Sequence, residues 1–159
     1  MNNVRRGIQF RQGYTLLELM IVVILIAVVA AIAFPSYQAY ARKANAAVAE
    51  QEVMKLAEQL ERHKSRNFSY RNFSPTSVTL NRGGYTLTIT DDTVAGNALN
   101  STATTGQNWV VKATTTDTKN FYFLAKSSGL RCKSKTSTKI DNICGSTVCT
   151  SCESGSDAW

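Results

Sequence analysis

The most constraining feature of this chain is an apolar run of 19 residues, 16–34, whose only charge is Glu18. A helix over this run is about 28 Å long at about 1.5 Å per residue, which matches the hydrocarbon thickness of a bilayer. Because a carboxylate in a membrane helix is unfavourable, we expect Glu18 to be functional and to meet a partner rather than lipid. The run therefore predicts one membrane-spanning helix that carries a functional charge.

The segment before the apolar run is basic. Residues 1–13 contain three arginines and no acid, which is typical of sequence kept on the cytoplasmic side of a membrane. An ordinary secretory signal is cleaved after its apolar region, whereas the candidate junction here, Gly13-Tyr14, lies before it. Cleavage at this junction would leave the apolar helix attached to the mature chain.

These residues form a recognisable pattern: a Gly at position 13, an aromatic first mature residue at Tyr14, and Glu18 close behind. On this pattern the chain resembles type IV prepilins and the related pseudopilins. Most members have Phe where this chain has Tyr14, a position that varies. Pro35 also falls where the family commonly breaks its helix. The resemblance covers roughly the first 70 residues closely and the rest in organisation.

The resemblance implies roles for four residues. A membrane-bound prepilin peptidase is expected to cut after Gly13 and to N-methylate Tyr14. Glu18 is then expected to neutralise the N-terminal amine of a neighbouring subunit, because opposite charges in an apolar filament core must pair. Pro35 is expected to kink the helix, since it removes a backbone donor. The alternative is a plain signal anchor in which Glu18 snorkels to the membrane interface.

Beyond Pro35 the pattern becomes amphipathic, which predicts helix until about Lys64. Its apolar positions recur every three or four residues: Ala46, Ala49, Val53, Leu56, Ala57 and Leu60. Strand patterns follow at 85–90, 109–113, 121–125 and 130–133. Between the first two of these patterns, residues 91–107 are rich in Thr, Asn, Ala and Gly, which predicts an exposed loop.

The predicted fold class is therefore α+β, with a long N-terminal helix packed on a small antiparallel sheet. With the resemblance, this is the pilin fold. The predicted divisions are a cleaved leader (1–13), a transmembrane or filament-core helix (14–35), an amphipathic half of that helix (36–66) and a globular sheet domain (67–159) with a cysteine-stapled C-terminal region.

All four cysteines lie in the last 28 residues: Cys132, Cys144, Cys149 and Cys152. Export would place them in an oxidising compartment, which favours disulfides, and four cysteines allow three pairings. Their irregular spacing without a nearby His disfavours zinc, and no thioredoxin-like framework supports a redox role. The family resemblance implies a C-terminal disulfide from Cys132 to one of the three later cysteines, and which one stays open.

By the same resemblance the protein is a structural subunit of a type IV pilus that takes part in adhesion, twitching motility or DNA uptake. Residues 56–70 resemble the helix end of minor pilins, which favours a minor over a major pilin. The other alternative is a pseudopilin of a type II secretion system, although the C-terminal region holds too few acids for the calcium loop of its major form. No enzyme is predicted, because the single histidine, His63, has no nucleophile partner. We expect no cofactor and no metal.

The expected partners are other pilin subunits, the prepilin peptidase and the inner-membrane assembly platform. The expected location is the bacterial inner membrane, as a single span with a periplasmic C-terminal domain, and then the pilus on the cell surface. A formal net charge of +7, of which three charges lie in the leader, is compatible with anionic partners.

A DNA-binding pilin for natural transformation is a further hypothesis. Three arginines after the helix alternate with three aromatic residues, and such surfaces bind DNA by charge and stacking. These residues are Arg66, Arg71 and Arg82, with Phe68, Tyr70 and Phe73. Packing of this segment on the sheet is the interpretation that the sequence favours.

Overall fold

The computed structural model describes residues 13–94, 96–142, 151–152 and 156–159. The chain divides into two compact units, Met1–Ala39 and Tyr40–Trp159. In chain order the elements are α1 (Leu16–Asn67), β1 (Ser77–Thr79), β2 (Tyr85–Asp91), β3 (Trp109–Thr115), β4 (Tyr122–Lys126), β5 (Arg131–Ser134), α2 (Ser137–Asn142) and β6 (Asp157–Ala158).

In the first unit, the start of α1 is capped by a side chain. The hydroxyl of Thr15 accepts a hydrogen bond from the backbone N–H of Glu18 at 3.2 Å, which satisfies one of the free donors of the first turn. The most apolar 18-residue window of α1 has a mean hydropathy of 3.1, and none of it is buried. By length and composition the helix can cross a membrane once. The helix continues through Pro35, and the kink at this residue stays a prediction.

In the second unit, six strands form one sheet in the order β1-β2-β3-β4-β5-β6, and all neighbouring strands are antiparallel. The four strands predicted from the sequence are confirmed as β2 to β5, with bounds shifted by a few residues. The edge strands β1 and β6 have three and two residues, which is too short for a recognisable alternation.

One face of the sheet packs on the amphipathic half of α1, as the sequence predicts. Along β2 every second side chain is buried, and it meets the buried stripe of α1 in one apolar cluster. The helix contributes Ala46, Ala49, Val53, Leu56 and Leu60, and the sheet contributes mainly Tyr85, Leu87, Ile89, Val111, Ala113 and Phe123. Truncation of such a fully buried side chain to Ala costs about 2–5 kcal/mol.

The opposite face of the sheet is covered near its β5 edge. Leu124 and Val110 form a second buried cluster with Ile140 of α2 and with Cys132. Strand β4 is therefore buried on both faces, which explains its continuous burial. The sequence did not predict α2, because six residues are too few to show a helical period.

The C-terminal residues close this edge of the sheet. Cys132 is bonded to Cys152, 20 residues further along the chain. The indole N–H of Trp159 donates to the carbonyl of Cys132 at 3.0 Å, and its ring meets Phe123 edge-on at 5.7 Å. The structure thus selects one of the three partners that the sequence left open for Cys132. Cys144 and Cys149 lie outside the described residues.

Candidate nucleic-acid interface at the end of the long helix

The residue that follows helix α1 has a left-handed backbone. The N–H of Phe68 donates to the carbonyl of Lys64 at 2.7 Å, and Phe68 has a φ of 57°. This is the C-terminal cap in which Gly, and less often Asn, is preferred. Phe68 is 91% exposed. The end of α1 therefore presents an aromatic side chain to solvent.

The segment after α1, residues 68–76, is bonded to the β2–β3 loop, residues 92–108. The N–H of Tyr70 donates to Gly106 at 2.9 Å, and the N–H of Asn72 donates to Leu99 at 2.8 Å. The guanidinium of Arg71 donates to the carbonyl of Thr102 at 3.3 Å. We call these two segments the loop pair, because each holds the other through backbone hydrogen bonds.

A buried carboxylate organises the β2–β3 half of the loop pair. Asp91 is 1% exposed, and its oxygens accept hydrogen bonds from backbone and hydroxyl donors of four residues. These donors belong to Thr93, Thr104, Thr105 and Gly106. Burial by itself would raise the pKa of Asp91, but the hydrogen bonds to its charged form outweigh burial and hold the pKa well below its usual value.

The prediction of an exposed loop over residues 91–107 is thus wrong in part. Asp91 ends strand β2, and Leu99, Thr104 and Gly106 are also buried. The physical reason is that the carboxylate gathers the polar groups of the loop around itself. The loop is further fixed by an ion pair, since the buried ammonium of Lys126 lies 2.7 Å from a carboxylate oxygen of Asp92.

Glu61 joins the end of α1 to both the loop pair and the sheet. One of its carboxylate oxygens accepts from the hydroxyl of Tyr70 at 2.8 Å and from the indole N–H of Trp109 at 3.2 Å. Burial, and to a smaller extent the hydrogen bond to Glu61, raises the pKa of Tyr70 to about 12. This contact fixes where α1 ends relative to the first residue of β3.

A basic groove of about 350 Å³ lies along the last turns of α1. Seven residues line it, and none of them is an acid: Gln59, Arg62, His63, Arg66, Asn67, Phe73 and Ser74. Arg62 forms an exposed ion pair with Glu58 at 2.5 Å. His63 is oriented by Asn67, at 3.3 Å from its Nδ1, and by the carbonyl of Arg71, at 2.9 Å from its Nε2.

The structure places the basic and aromatic residues of the DNA hypothesis at three locations. Tyr70 and Phe73 belong to the core, as the packing interpretation predicted. Arg66, Arg71 and Phe68 are exposed at the end of α1. Arg82 is exposed in the turn between β1 and β2. Sequence reasoning missed the anchors Asp91 and Glu61, because most of their partners are distant in the chain.

The other candidate site residues lie elsewhere. Gly13, Tyr14 and Glu18 are exposed in the first unit. Within the part of the chain that the structure describes, there is no group of three or more His, Cys, Asp or Glu side chains placed to hold a metal ion.

A long helix with an apolar first half, an antiparallel meander packed on its second half and the Gly13-to-Glu18 pattern together define a type IV pilin. A family model of the prokaryotic N-terminal methylation motif matches residues 9–34. A second model, described as "Type IV minor pilin ComP, DNA uptake sequence receptor", matches residues 35–147. Since this match covers more than half of the chain, the protein belongs to the ComP family of type IV minor pilins, a family implicated in DNA uptake.

The predicted minor pilin is thereby confirmed. The family is structural rather than enzymatic, and membership implies assembly with other pilins and processing by a prepilin peptidase. The methylation motif and the apolar helix fit a membrane-anchored pilin before assembly. Searches of curated proteins and of solved structures found no match.

Proposed function

We propose that this minor pilin captures DNA with the surface at the end of α1, formed by the basic groove and by the exposed side chains of Phe68 and Arg71. One observation carries the proposal: the groove is lined by Arg62, His63 and Arg66 and by no acidic residue. Double-stranded DNA carries one negative charge per roughly 1.7 Å of its axis, so such a surface attracts it electrostatically. The family description names a receptor for DNA uptake sequences, which supports the same ligand.

The arginines of this surface differ in how they are held. Arg66 is exposed on the last turn of α1, so its side chain can reorient to contact a phosphate. Arg71 uses one donor on the carbonyl of Thr102, which orients the side chain and leaves further donors for a ligand. Arg62 is paired with Glu58 on the helix surface. Exposed ion pairs of this spacing on a helix contribute only about 0.3–0.5 kcal/mol, so a DNA phosphate can replace the Glu58 carboxylate as the partner of Arg62 with a small loss of free energy.

The buried part of the loop pair holds this surface in place. Asp91 holds the β2–β3 loop by multiple hydrogen bonds, and the backbone of that loop holds Tyr70 and Asn72. A surface fixed before the ligand arrives loses less conformational entropy on binding. The loops are therefore a rigid support for the arginines.

We also propose the assembly steps that bring this surface to the outside of the cell. The peptidase cuts after Gly13 and methylates Tyr14, and Glu18 pairs with the amine of a neighbouring subunit in the filament. Bending at Pro35 eases the transfer of the apolar helix from membrane to filament. The second unit lies in the periplasm before assembly, and on the pilus afterwards. The methylation-motif match over residues 9–34 supports this order.

The DNA proposal is tested with the full-length chain in detergent and a fluorescent 30-base-pair duplex. Arg66→Ala and Arg71→Ala are expected to weaken binding by about ten-fold each. Each should also reduce the slope of log affinity against log salt by about 1, as loss of one phosphate contact does. Fluorescence anisotropy at several salt concentrations measures both quantities.

Lys119→Ala is the matched control. Lys119 is exposed in the β3–β4 turn. In the same turn, the side-chain amide of Asn120 donates a hydrogen bond to the carbonyl of Arg42 on α1. Arg42 precedes Arg66 by 24 residues, so the control site is about 36 Å away along the helix. Wild-type affinity and salt slope are expected for this variant. Absence of binding by the unmodified chain, or equal effects of all three substitutions, would refute the proposal.

A further inference from the structure

Phe68 is an exposed aromatic residue at the end of the long helix. Among the described residues of the unit Tyr40–Trp159, only Tyr40 and Phe68 are both large and apolar and strongly exposed, and Phe68 is 91% exposed against 73% for Tyr40. Tyr40 lies within α1, whereas Phe68 follows the end of that helix. Phe68 is therefore the one strongly exposed, large apolar residue that follows α1 among the described residues of this unit.

Folding does not account for an aromatic residue at this position. The φ of Phe68 is 57°, a conformation that Gly adopts readily and that an aromatic residue adopts only with strain. The two nearby aromatic residues, Tyr70 and Phe73, are buried in the core. Phe68 has the strain of the cap without the gain of burial, so a ligand or partner is the better explanation of its side chain.

The surroundings of Phe68 indicate the chemistry of that ligand. Arg66 and Arg71 are exposed on either side of it in the chain, and Asn67 lines the basic groove beside it. An exposed apolar ring, with one exposed arginine two residues before it and another three residues after it, fits a molecule that combines flat apolar faces with negative charges. Nucleic acid has this combination, because bases stack on aromatic rings while phosphates bind arginines.

We propose that Phe68 stacks on the face of a nucleobase of the captured DNA. The proposal rests on the DNA-capture function above and adds a base contact to its phosphate contacts. A free base face is available in single-stranded DNA. It is also available in a duplex where a protein side chain enters a base step and partly unstacks it. Both sources offer the same π surface to the ring.

Three variants at Phe68 separate stacking from other effects. Phe68→Gly removes the ring and relieves the strain, so the melting temperature is expected to stay equal or to rise. Phe68→Leu keeps an apolar side chain but removes the aromatic face. Phe68→Trp keeps and enlarges that face. Binding is measured by anisotropy with the full-length chain in detergent, as for the arginine variants.

Stacking predicts that Phe68→Gly binds about ten-fold more weakly and that Phe68→Trp binds at least as well as the unmodified chain. Phe68→Leu should bind the single strand about as weakly as Phe68→Gly, but should keep more affinity for the duplex if the side chain enters a base step, since Leu also serves as such a wedge. The salt slope should be unchanged in all three, because no phosphate contact is lost. Probes with a single 2-aminopurine, one single-stranded and one double-stranded, report the stacked base by fluorescence. A protein-induced change in the single strand alone or in the duplex alone identifies the source of the base.

Two results would overturn the stacking proposal while leaving DNA capture intact. One is wild-type affinity for Phe68→Gly together with weakened binding by Arg66→Ala. The other is loss of Phe68→Gly from pili with unchanged DNA affinity, which would show that the ring packs on a neighbouring subunit. If the unmodified chain binds neither probe, DNA capture fails first and base stacking fails with it.

Discussion

The backbone N–H of Tyr70 donates to the carbonyl of Gly106 at 2.9 Å, across 36 positions of sequence. This bond joins the segment after α1 to the β2–β3 loop at the place where both are buried. Tyr70 is also held by Glu61 on α1, and Gly106 is held by Asp91 at the end of β2. The helix, the loop pair and the sheet are thus connected through Tyr70 and Gly106. A substitution at either residue should shift the exposed arginines nearby.

Gly106→Ala tests this connection. A Cβ at Gly106 would lie 2.2 Å from Cγ of Arg71 and 2.9 Å from its backbone nitrogen, and the φ of +66° is unfavourable for Ala. We expect a loss of about 2–4 kcal/mol in the free energy of unfolding, measured by urea denaturation, from strain and displaced backbone. DNA affinity should fall as Arg71 shifts.

Gly96→Ala is the control for Gly106→Ala. Gly96 has a φ of +86°, but a Cβ there meets nothing within 4 Å. This substitution imposes the backbone strain of about 1–2 kcal/mol without the clash. Equal destabilisation by the two variants would show that the contact between the loops contributes nothing.

Glu61→Ala is expected to destabilise the protein more than Glu61→Gln. The Ala variant leaves the hydroxyl of Tyr70 and the indole N–H of Trp109 without their acceptor, and each such loss costs about 1–3 kcal/mol. The Gln variant keeps a carbonyl oxygen in the same place. Thermal unfolding followed by tryptophan fluorescence compares the two, and similar melting temperatures for both variants would contradict the role of this contact.

Asp91 should make the stability of the second unit depend on acid pH. Its pKa in the folded state is below its value in the unfolded chain, so its contribution to stability is fully present above about pH 4 and is lost as the pH falls through the folded-state pKa. Asp91→Asn removes this dependence. It also turns an amide N–H toward the donors of Thr105 or Thr93, with a loss of about 2–3 kcal/mol at neutral pH.

Urea denaturation at several pH values between about 2 and 7 measures this effect. The difference in unfolding free energy between the unmodified chain and Asp91→Asn should be largest at neutral pH and shrink toward pH 2. A difference that is constant over this range would show that the charge of Asp91 does not stabilise the loop.

The Cys132–Cys152 disulfide should stabilise the C-terminal edge of the sheet. It closes a loop with a sequence separation of 20, for which the chain-entropy model gives about 3 kcal/mol. Cys152→Ser is therefore expected to lower the melting temperature measured by circular dichroism, and the fluorescence of Trp159 should show its release from Cys132 and Phe123. If reduction of the unmodified chain leaves both signals unchanged, the bond has no such role.

Whether a feature of this structure could be predicted from the sequence depends on how far apart in the chain its interacting residues lie. The buried stripe from Ala46 to Leu60 and the alternation along β2 are local patterns, so the long helix and the central strands were predictable. Asp91 was not, because Thr104 and Gly106 reach it only after the loop has folded back. Phe68 belonged to a predicted basic and aromatic segment, but sequence could not show that it is exposed while Tyr70 is buried.

Glu18→Ala tests the assembly role that we propose for the charge in the apolar helix. The side chain is exposed in the first turn of α1, so its removal should leave folding of the second unit intact. We expect a chain that is processed and present in the membrane but strongly reduced in sheared pili, because the amine of the neighbouring subunit loses its partner in an apolar core. Gly13→Val separates cleavage from assembly, since this variant should accumulate the longer precursor before any assembly. Mass spectrometry of the N-terminal peptide in the membrane fraction and in sheared pili distinguishes Gly13→Val from Glu18→Ala. Incorporation of Glu18→Ala at wild-type levels would exclude the pairing, and an unchanged mature mass in Gly13→Val would place the junction elsewhere.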